Sequence, residues 1–63
     1  MELKEGGRYK WSHQPEQLVY IGPKRYEGDM RVWNQFAKVE KPDIVWCEVL
    51  KSELYMMEEI IGG

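Results

Sequence analysis

The chain has 63 residues, which is enough for one small domain, residues 1–63. A domain of this size buries only about 60% of the surface that its unfolded chain exposes. Its only cysteine, Cys47, cannot form an internal disulfide, and no apolar run approaches the ~20 residues of a membrane-spanning helix. The formal net charge of −2 differs from the strongly basic balance typical of proteins that bind nucleic-acid phosphates. We therefore expect a domain with no membrane contact in a reducing, cytoplasmic compartment.

Two strand signals occupy the first third of the chain. After a turn at Gly6-Gly7, residues 8–11 predict a short strand with Tyr9 and Trp11 on one face. Residues 18–21 are apolar on both faces, which is typical of a central strand, and Gly22-Pro23 is expected to end it.

The third strand signal covers residues 31–39, after a charged loop with Gly28-Asp29 at its tip. Strict alternation of apolar and polar residues fails in this strand. A bulge around Asn34-Gln35 would bring Trp33 and Phe36 to the same side, so we predict a bulge there.

The most hydrophobic run, residues 43–50, follows a turn at Pro42. With a period of two, one face carries only apolar side chains and is predicted to line the core: Val45, Cys47 and Val49. Cys47 among these neighbours is expected to be a buried, unreactive thiol.

Residues 51–61 allow two interpretations. Ser52 could cap a short C-terminal helix. Alternatively, residues 52–54 form one helical turn and residues 55–60 form a closing strand. In both cases the chain is mainly β, and four or five short strands separated by turns predict a small antiparallel barrel.

The order of these segments resembles the SH3-like small barrels, a broad group that includes Tudor-like and KOW-like domains. The matching features are the Gly-Gly-x-Tyr strand near Tyr9, the strand of residues 18–22, the variable charged loop, the strand from Trp33 to Val39, and the strand of residues 45–49 before a possible helical turn. The paired aromatics and the Pro-Tyr signature of signalling SH3 domains are absent from the sequence. The residue sequence around Trp33 and Trp46 also resembles that of short proteins of tailed phages and prophages. This resemblance implies a modulator of a host factor.

The first functional hypothesis is a non-enzymatic module that binds a protein partner or another copy of itself. If Val45, Cys47 and Val49 face the core, Trp46 faces outward, and an exposed tryptophan with apolar neighbours usually marks an interface. The alternative is that Trp46 lies in the core or is covered by Met56-Met57. The residues assigned to protein binding are Trp46, Ile44, Glu48 and Tyr55.

The second hypothesis is a nucleic-acid-binding barrel. Basic residues interleave with aromatic ones in the first two thirds of the chain, and single-stranded nucleic acids bind such surfaces by phosphate contacts and base stacking. The candidate residues are Arg8, Lys10, Trp11, Lys24, Arg25, Tyr26 and Arg31.

Catalytic and metal chemistry have little support in the sequence. A zinc site needs three or four ligands, and His13, the only histidine, has no cysteine or carboxylate at ligand spacing. Cys47 and His13 lack the third, orienting group that nucleophilic catalysis requires. We therefore expect no enzyme activity, no metal, no cofactor and no small-molecule substrate.

Overall fold

The computed structural model describes residues 2–61, which form one five-stranded antiparallel sheet and a short 3₁₀-helix. In order across the sheet, the strands are β4, β3, β2, β1 and β5. The 3₁₀-helix, Lys51–Met56, connects the two edge strands β4 and β5. The strand bounds are β1 Arg8–Trp11, β2 Leu18–Lys24, β3 Trp33–Lys38, β4 Val45–Leu50 and β5 Met57–Glu59. The predicted class, a small, mainly β, antiparallel fold with four to five strands, is confirmed. No helix among residues 2–61 has the length and apolar character needed to cross a membrane.

Three aromatic rings from the three central strands form the middle of the core. Tyr9 on β1 packs edge-on against Tyr20 and Phe36, with ring centroids 6.5 and 5.8 Å away. Such edge-to-face contacts stabilise an aromatic pair beyond the area that it buries. The alternation of side chains along each strand places these residues on one face of the sheet. The complete buried cluster is Tyr9, Leu18, Tyr20, Phe36, Val49 and Met57.

The hydroxyl groups of both core tyrosines have hydrogen-bond partners. The backbone N–H of Lys4 donates to Tyr9 Oη at 2.9 Å, and Tyr20 Oη donates to Asn34 Oδ1 at 2.9 Å. A buried hydroxyl without a partner would destabilise the fold, so these bonds allow tyrosine at core positions. The bond to Lys4 also fastens the N-terminal segment to the core.

Two β-bulges determine which side chains of the strands face the core, and neither bulge lies at the predicted position. The β3 residues Trp33 to Phe36 pair with β4 without a shift, so Trp33 and Phe36 lie on opposite faces and the predicted bulge at Asn34-Gln35 is wrong. Instead, the β3–β4 register shifts between Phe36 and Ala37, where β4 has the extra residue Trp46.

The bulge at Trp46 also corrects the predicted core face of β4. Val49 is fully buried and Cys47 packs half-buried against the core, as expected. Val45 is 44% exposed, because the extra residue breaks the two-residue alternation between it and Cys47. The assignment of Val45 to the core was therefore wrong.

β2 is longer than the sequence indicated, because it continues through Gly22 and Pro23 to Lys24. A register shift between Tyr20 and Gly22 precedes this extension. Past the shift, β2 pairs with β3 only, so one side of this segment is an edge, where the missing N–H of Pro23 is tolerated.

In the C-terminal part, the interpretation as a helical turn followed by a strand is confirmed. The 3₁₀-helix spans Lys51–Met56, and β5 then pairs antiparallel with β1. At the start of the helix, the Leu50 N–H donates to Glu53 Oε1 at 3.0 Å.

Candidate interaction surface

The bulge in β4 displays a continuous apolar segment to solvent. Ile44, Val45 and Trp46 are 56%, 44% and 54% exposed. Ile44 directly precedes β4, and Val45 and Trp46 are its first two residues, so the three form one exposed apolar segment. The exposure of Trp46 excludes the alternative in which it lies in the core or is covered by Met56-Met57.

A lysine from the neighbouring strand covers the Trp46 ring. The ammonium Nζ of Lys38 lies 3.8 Å from the ring centroid, which is a close cation–π contact. The same ammonium lies 3.5 Å from Glu16 Oε2 in the loop before β2. Two backbone bonds, from Lys41 N–H to Lys38 O and from Ile44 N–H to Lys41 O, fix the turn between β3 and β4. The turn therefore brings Lys38 close to Trp46.

These residues line a shallow pocket of about 200 Å³ at the end of the β3–β4 hairpin. Its wall combines one large apolar ring, one aliphatic side chain and charges of both signs. We call it the Trp46 surface, and its members are Lys38, Glu40, Lys41, Ile44 and Trp46.

Glu48 does not line this pocket, although the sequence grouped it with Trp46. Its carboxylate accepts hydrogen bonds from Tyr26 Oη and from Gln35 Nε2, the latter at 3.0 Å. These two donors, Tyr26 first, hold the pKa of Glu48 below its ordinary value, and hydrogen bonding to the carboxylate raises the pKa of Tyr26. Glu48 therefore fastens the β2–β3 loop to β4 as a charged acceptor.

Tyr55 is also separate from the Trp46 surface. It lies on the 3₁₀-helix, is 81% exposed, and lines a different pocket with Lys51, Leu54 and Met57. Of the four residues that the sequence assigned to protein binding, the structure thus brings together only Trp46 and Ile44 in one pocket.

Some of the nucleic-acid candidates meet on the outer face of β2 and β3. Lys24 pairs directly with Trp33 across the two strands, and its ammonium lies 5.8 Å from the centroid of the Tyr26 ring. The guanidinium of Arg31 lies 4.9 Å from the Trp33 ring. Each of the two rings in this cluster, exposed Tyr26 and half-buried Trp33, therefore has a cation beside it.

A carboxylate offsets the charge of this cluster. Asp29 accepts from the side chain and backbone N–H of Arg31, and from the indole N–H of Trp33 at 3.1 Å. The Arg31 guanidinium is the main reason that the pKa of Asp29 lies far below its ordinary value. The ion pair neutralises Arg31 and fixes the end of the β2–β3 loop.

The remaining nucleic-acid candidates are dispersed. Lys10 pairs with Glu58 at 3.7 Å, and Trp11 packs against the core from β1. Arg8 is exposed on β1, and Arg25 is exposed in the β2–β3 loop. The structure therefore does not gather these four side chains into one basic surface with Lys24 and Arg31.

Within residues 2–61, no group of three or more histidine, cysteine, aspartate or glutamate side chains is placed to hold a metal ion. His13 is exposed. Burial raises the pKa of the Cys47 thiol, with a smaller opposing contribution from a hydrogen bond with Trp11. A thiol in this environment is a weak nucleophile at neutral pH.

The sequence reasoning did not identify Lys38 and Glu16 as part of a site. Lys38 is eight residues from Trp46, on the other side of a turn with proline and aspartate. A hairpin prediction for this segment would have placed the two residues on adjacent strands, and that was the available signal.

Comparison of the chain with models of protein families, with curated proteins and with solved structures gives no match. The resemblance to SH3-like barrels and to phage proteins therefore stays a prediction.

Proposed function

We propose that the protein is a non-enzymatic protein-interaction module whose contact region is the Trp46 surface. The observation that carries this proposal is the exposure of Trp46 and Ile44 side by side in a concave pocket. Tryptophan is among the residues that contribute most to binding when a partner desolvates it, and exposed apolar patches in small proteins commonly mark interfaces.

The contact between Lys38 and Trp46 supports this proposal. Lys38 is held by both Glu16 and the ring, so the ring orientation is set before a partner arrives. A pre-organised anchor loses less conformational entropy on binding than a mobile one, which increases affinity.

The biological setting follows from the sequence resemblance. We propose that the chain is phage-encoded, that it acts in the host cytoplasm, and that it redirects or inhibits a host factor. The half-buried free thiol of Cys47 is compatible with that reducing compartment.

The test compares two exposed aromatic residues on different parts of the surface. Immobilised Trp46→Ala should lose the proteins that the unchanged chain captures from a lysate of its natural host, with mass spectrometry as the readout. Tyr55→Ala is the matched control, because Tyr55 is more exposed but lies outside the pocket. If capture and oligomeric state are the same for Trp46→Ala as for the unchanged chain, the Trp46 surface is not the contact region.

A second candidate function, binding of single-stranded nucleic acid, has one supporting observation. Lys24 with Tyr26, and Arg31 with Trp33, place cations beside one exposed and one half-buried aromatic ring. Binding of labelled single-stranded oligonucleotides should then weaken steeply as salt rises, because phosphate contacts release counterions. The absence of binding at low salt would remove this candidate.

A further inference from the structure

β4 has an open edge, since β3 is the only strand that pairs with it among residues 2–61. The Leu50 N–H points away from β3, because it donates to the Glu53 carboxylate. In an antiparallel ladder, the backbone groups of alternate residues point to opposite sides, and β4 has no register shift from Leu50 to Cys47. The backbone N–H and C=O of Glu48 therefore also point outward, towards the open edge.

Side chains of opposite charge lie at separate points along this edge. At the start of β4, the Lys38 ammonium covers the Trp46 ring, and Lys41 and Glu40 lie in the same pocket. Two residues after Trp46, Glu48 supplies a carboxylate. An antiparallel copy of this edge can therefore bring the Glu48 carboxylate of one chain towards the Lys38 ammonium of the other.

We propose that a second copy of the chain pairs its β4 with this β4, antiparallel, about a two-fold axis beside Cys47. The proposal rests on the proposed function, because it assigns the occupant of the Trp46 surface. In this register, Trp46 of each copy lies opposite Glu48 of the other. The Glu48 carboxylate then approaches the Lys38 ammonium that covers the Trp46 ring, and the outward backbone groups of Glu48 gain partners.

Charge selects this register over the adjacent one. A two-fold axis at Glu48 would place the two Glu48 carboxylates directly opposite each other, and like charges in that position are destabilising. With the axis at Cys47, the two-fold symmetry repeats each Glu48–Lys38 contact, and the assembly closes as a dimer. The bulge at Trp46 and the capped N–H of Leu50 limit the new ladder to the middle of β4, so pairing does not extend further.

Charge reversal tests the pairing. Sedimentation velocity over a dilution series should show a reversible doubling of the 7.5 kDa mass. Lys38→Glu and Glu48→Lys should each raise the dimer dissociation constant about tenfold or more, and the double variant should restore it to within about threefold. Glu59→Lys, which makes the same charge change on the other edge strand, is the matched control and should leave dimerisation unchanged. Circular dichroism verifies the fold of each variant.

Amide hydrogen exchange tests the register independently. The Glu48 amide should become more protected as protein concentration rises. The exchange protection of the Leu50 amide, which donates to Glu53 in the monomer, should not change. A chain that stays monomeric to about 1 mM overturns the proposal, and so does a dimer in which the double variant is not rescued or Glu48 is not protected. If the chain is monomeric but Trp46→Ala still loses a captured protein, this inference fails while the proposed function stands.

Discussion

The ammonium group of Lys38 lies 3.8 Å from the centroid of the Trp46 ring and 3.5 Å from the carboxylate of Glu16. These two contacts of Lys38 join β3, the bulge in β4 and the loop before β2. Replacing Lys38 by Gln removes both contacts, and we expect the free energy of unfolding to fall by about 0.5–1 kcal/mol, the usual range for partly exposed cation–π and ion pairs. Urea denaturation measures this difference.

Two variants separate the contributions of Lys38. Lys41→Gln changes the charge in the same pocket without removing a side-chain hydrogen bond or ion pair described among residues 2–61, so its stability should stay within about 0.5 kcal/mol of the unchanged chain. Glu16→Gln removes only the ion pair, and its effect should be smaller than that of Lys38→Gln. An equal loss for Lys41→Gln would show that pocket charge, and not the ring contact, is responsible.

Local patterns were sufficient to predict the class of fold. Short apolar segments between turn signals identified the first four strands and offered the fifth as one of two interpretations, and Val49 was placed correctly in the core. These predictions depend on the two-residue period of a strand, which is a property of a short segment.

The faces of the strands near the bulges could not be predicted in the same way. A bulge depends on the pairing of two strands, and the residues that force the shift are distant in sequence. This explains the wrong assignment of Val45. The contact between Tyr26 and Glu48, 22 residues apart, also follows only from the assembled sheet. Ile44 and Trp46 could be grouped because they are two residues apart, and the two-residue period of a strand puts them on one face.

Two valines of β4 test the corrected assignment of its faces. Val49 is fully buried, so Val49→Ala removes two buried methyl groups and should lower the free energy of unfolding by about 1.5–3 kcal/mol. Val45→Ala makes the same change at an exposed site and should lower the free energy of unfolding by less than about 1 kcal/mol. Chemical denaturation of both variants gives the comparison. Equal losses would contradict the bulge at Trp46 as the origin of the exposure of Val45.

The hydrogen bond from Tyr26 to Glu48 should be visible in the titration of the carboxyl group. The pKa of Glu48 is lowered, so it titrates below the ordinary range for glutamate, and carbon-detected NMR measures the midpoint. In Tyr26→Phe the main donor is lost, so the pKa should rise towards its ordinary value, with Gln35 still lowering it. Tyr55→Phe is the control and should not change it. An unchanged Glu48 midpoint in Tyr26→Phe would mean that the hydroxyl does not donate in solution.

Asp29 should remain ionised at pH values where ordinary aspartates are protonated. The Arg31 guanidinium and the Trp33 indole N–H stabilise its charged form, so its pKa is lower in the folded state than in the unfolded state. The stabilisation is therefore fully present above the ordinary aspartate pKa and is lost as the pH falls through the lower folded value. The chemical shift of the Trp33 indole proton should stay constant through the ordinary range and move only at more acidic pH.

Asp29→Asn is the matched variant for this titration, because it keeps an oxygen acceptor but loses the charge. Its indole shift should not titrate, and its stability deficit relative to the unchanged chain should shrink as the pH falls, since protonation removes the same charge from Asp29. Glu27→Gln changes a neighbouring exposed carboxylate of the loop and should leave the indole shift as it was. A Trp33 indole proton that titrates in the ordinary aspartate range would show that Arg31 and Trp33 do not hold Asp29 in its charged form.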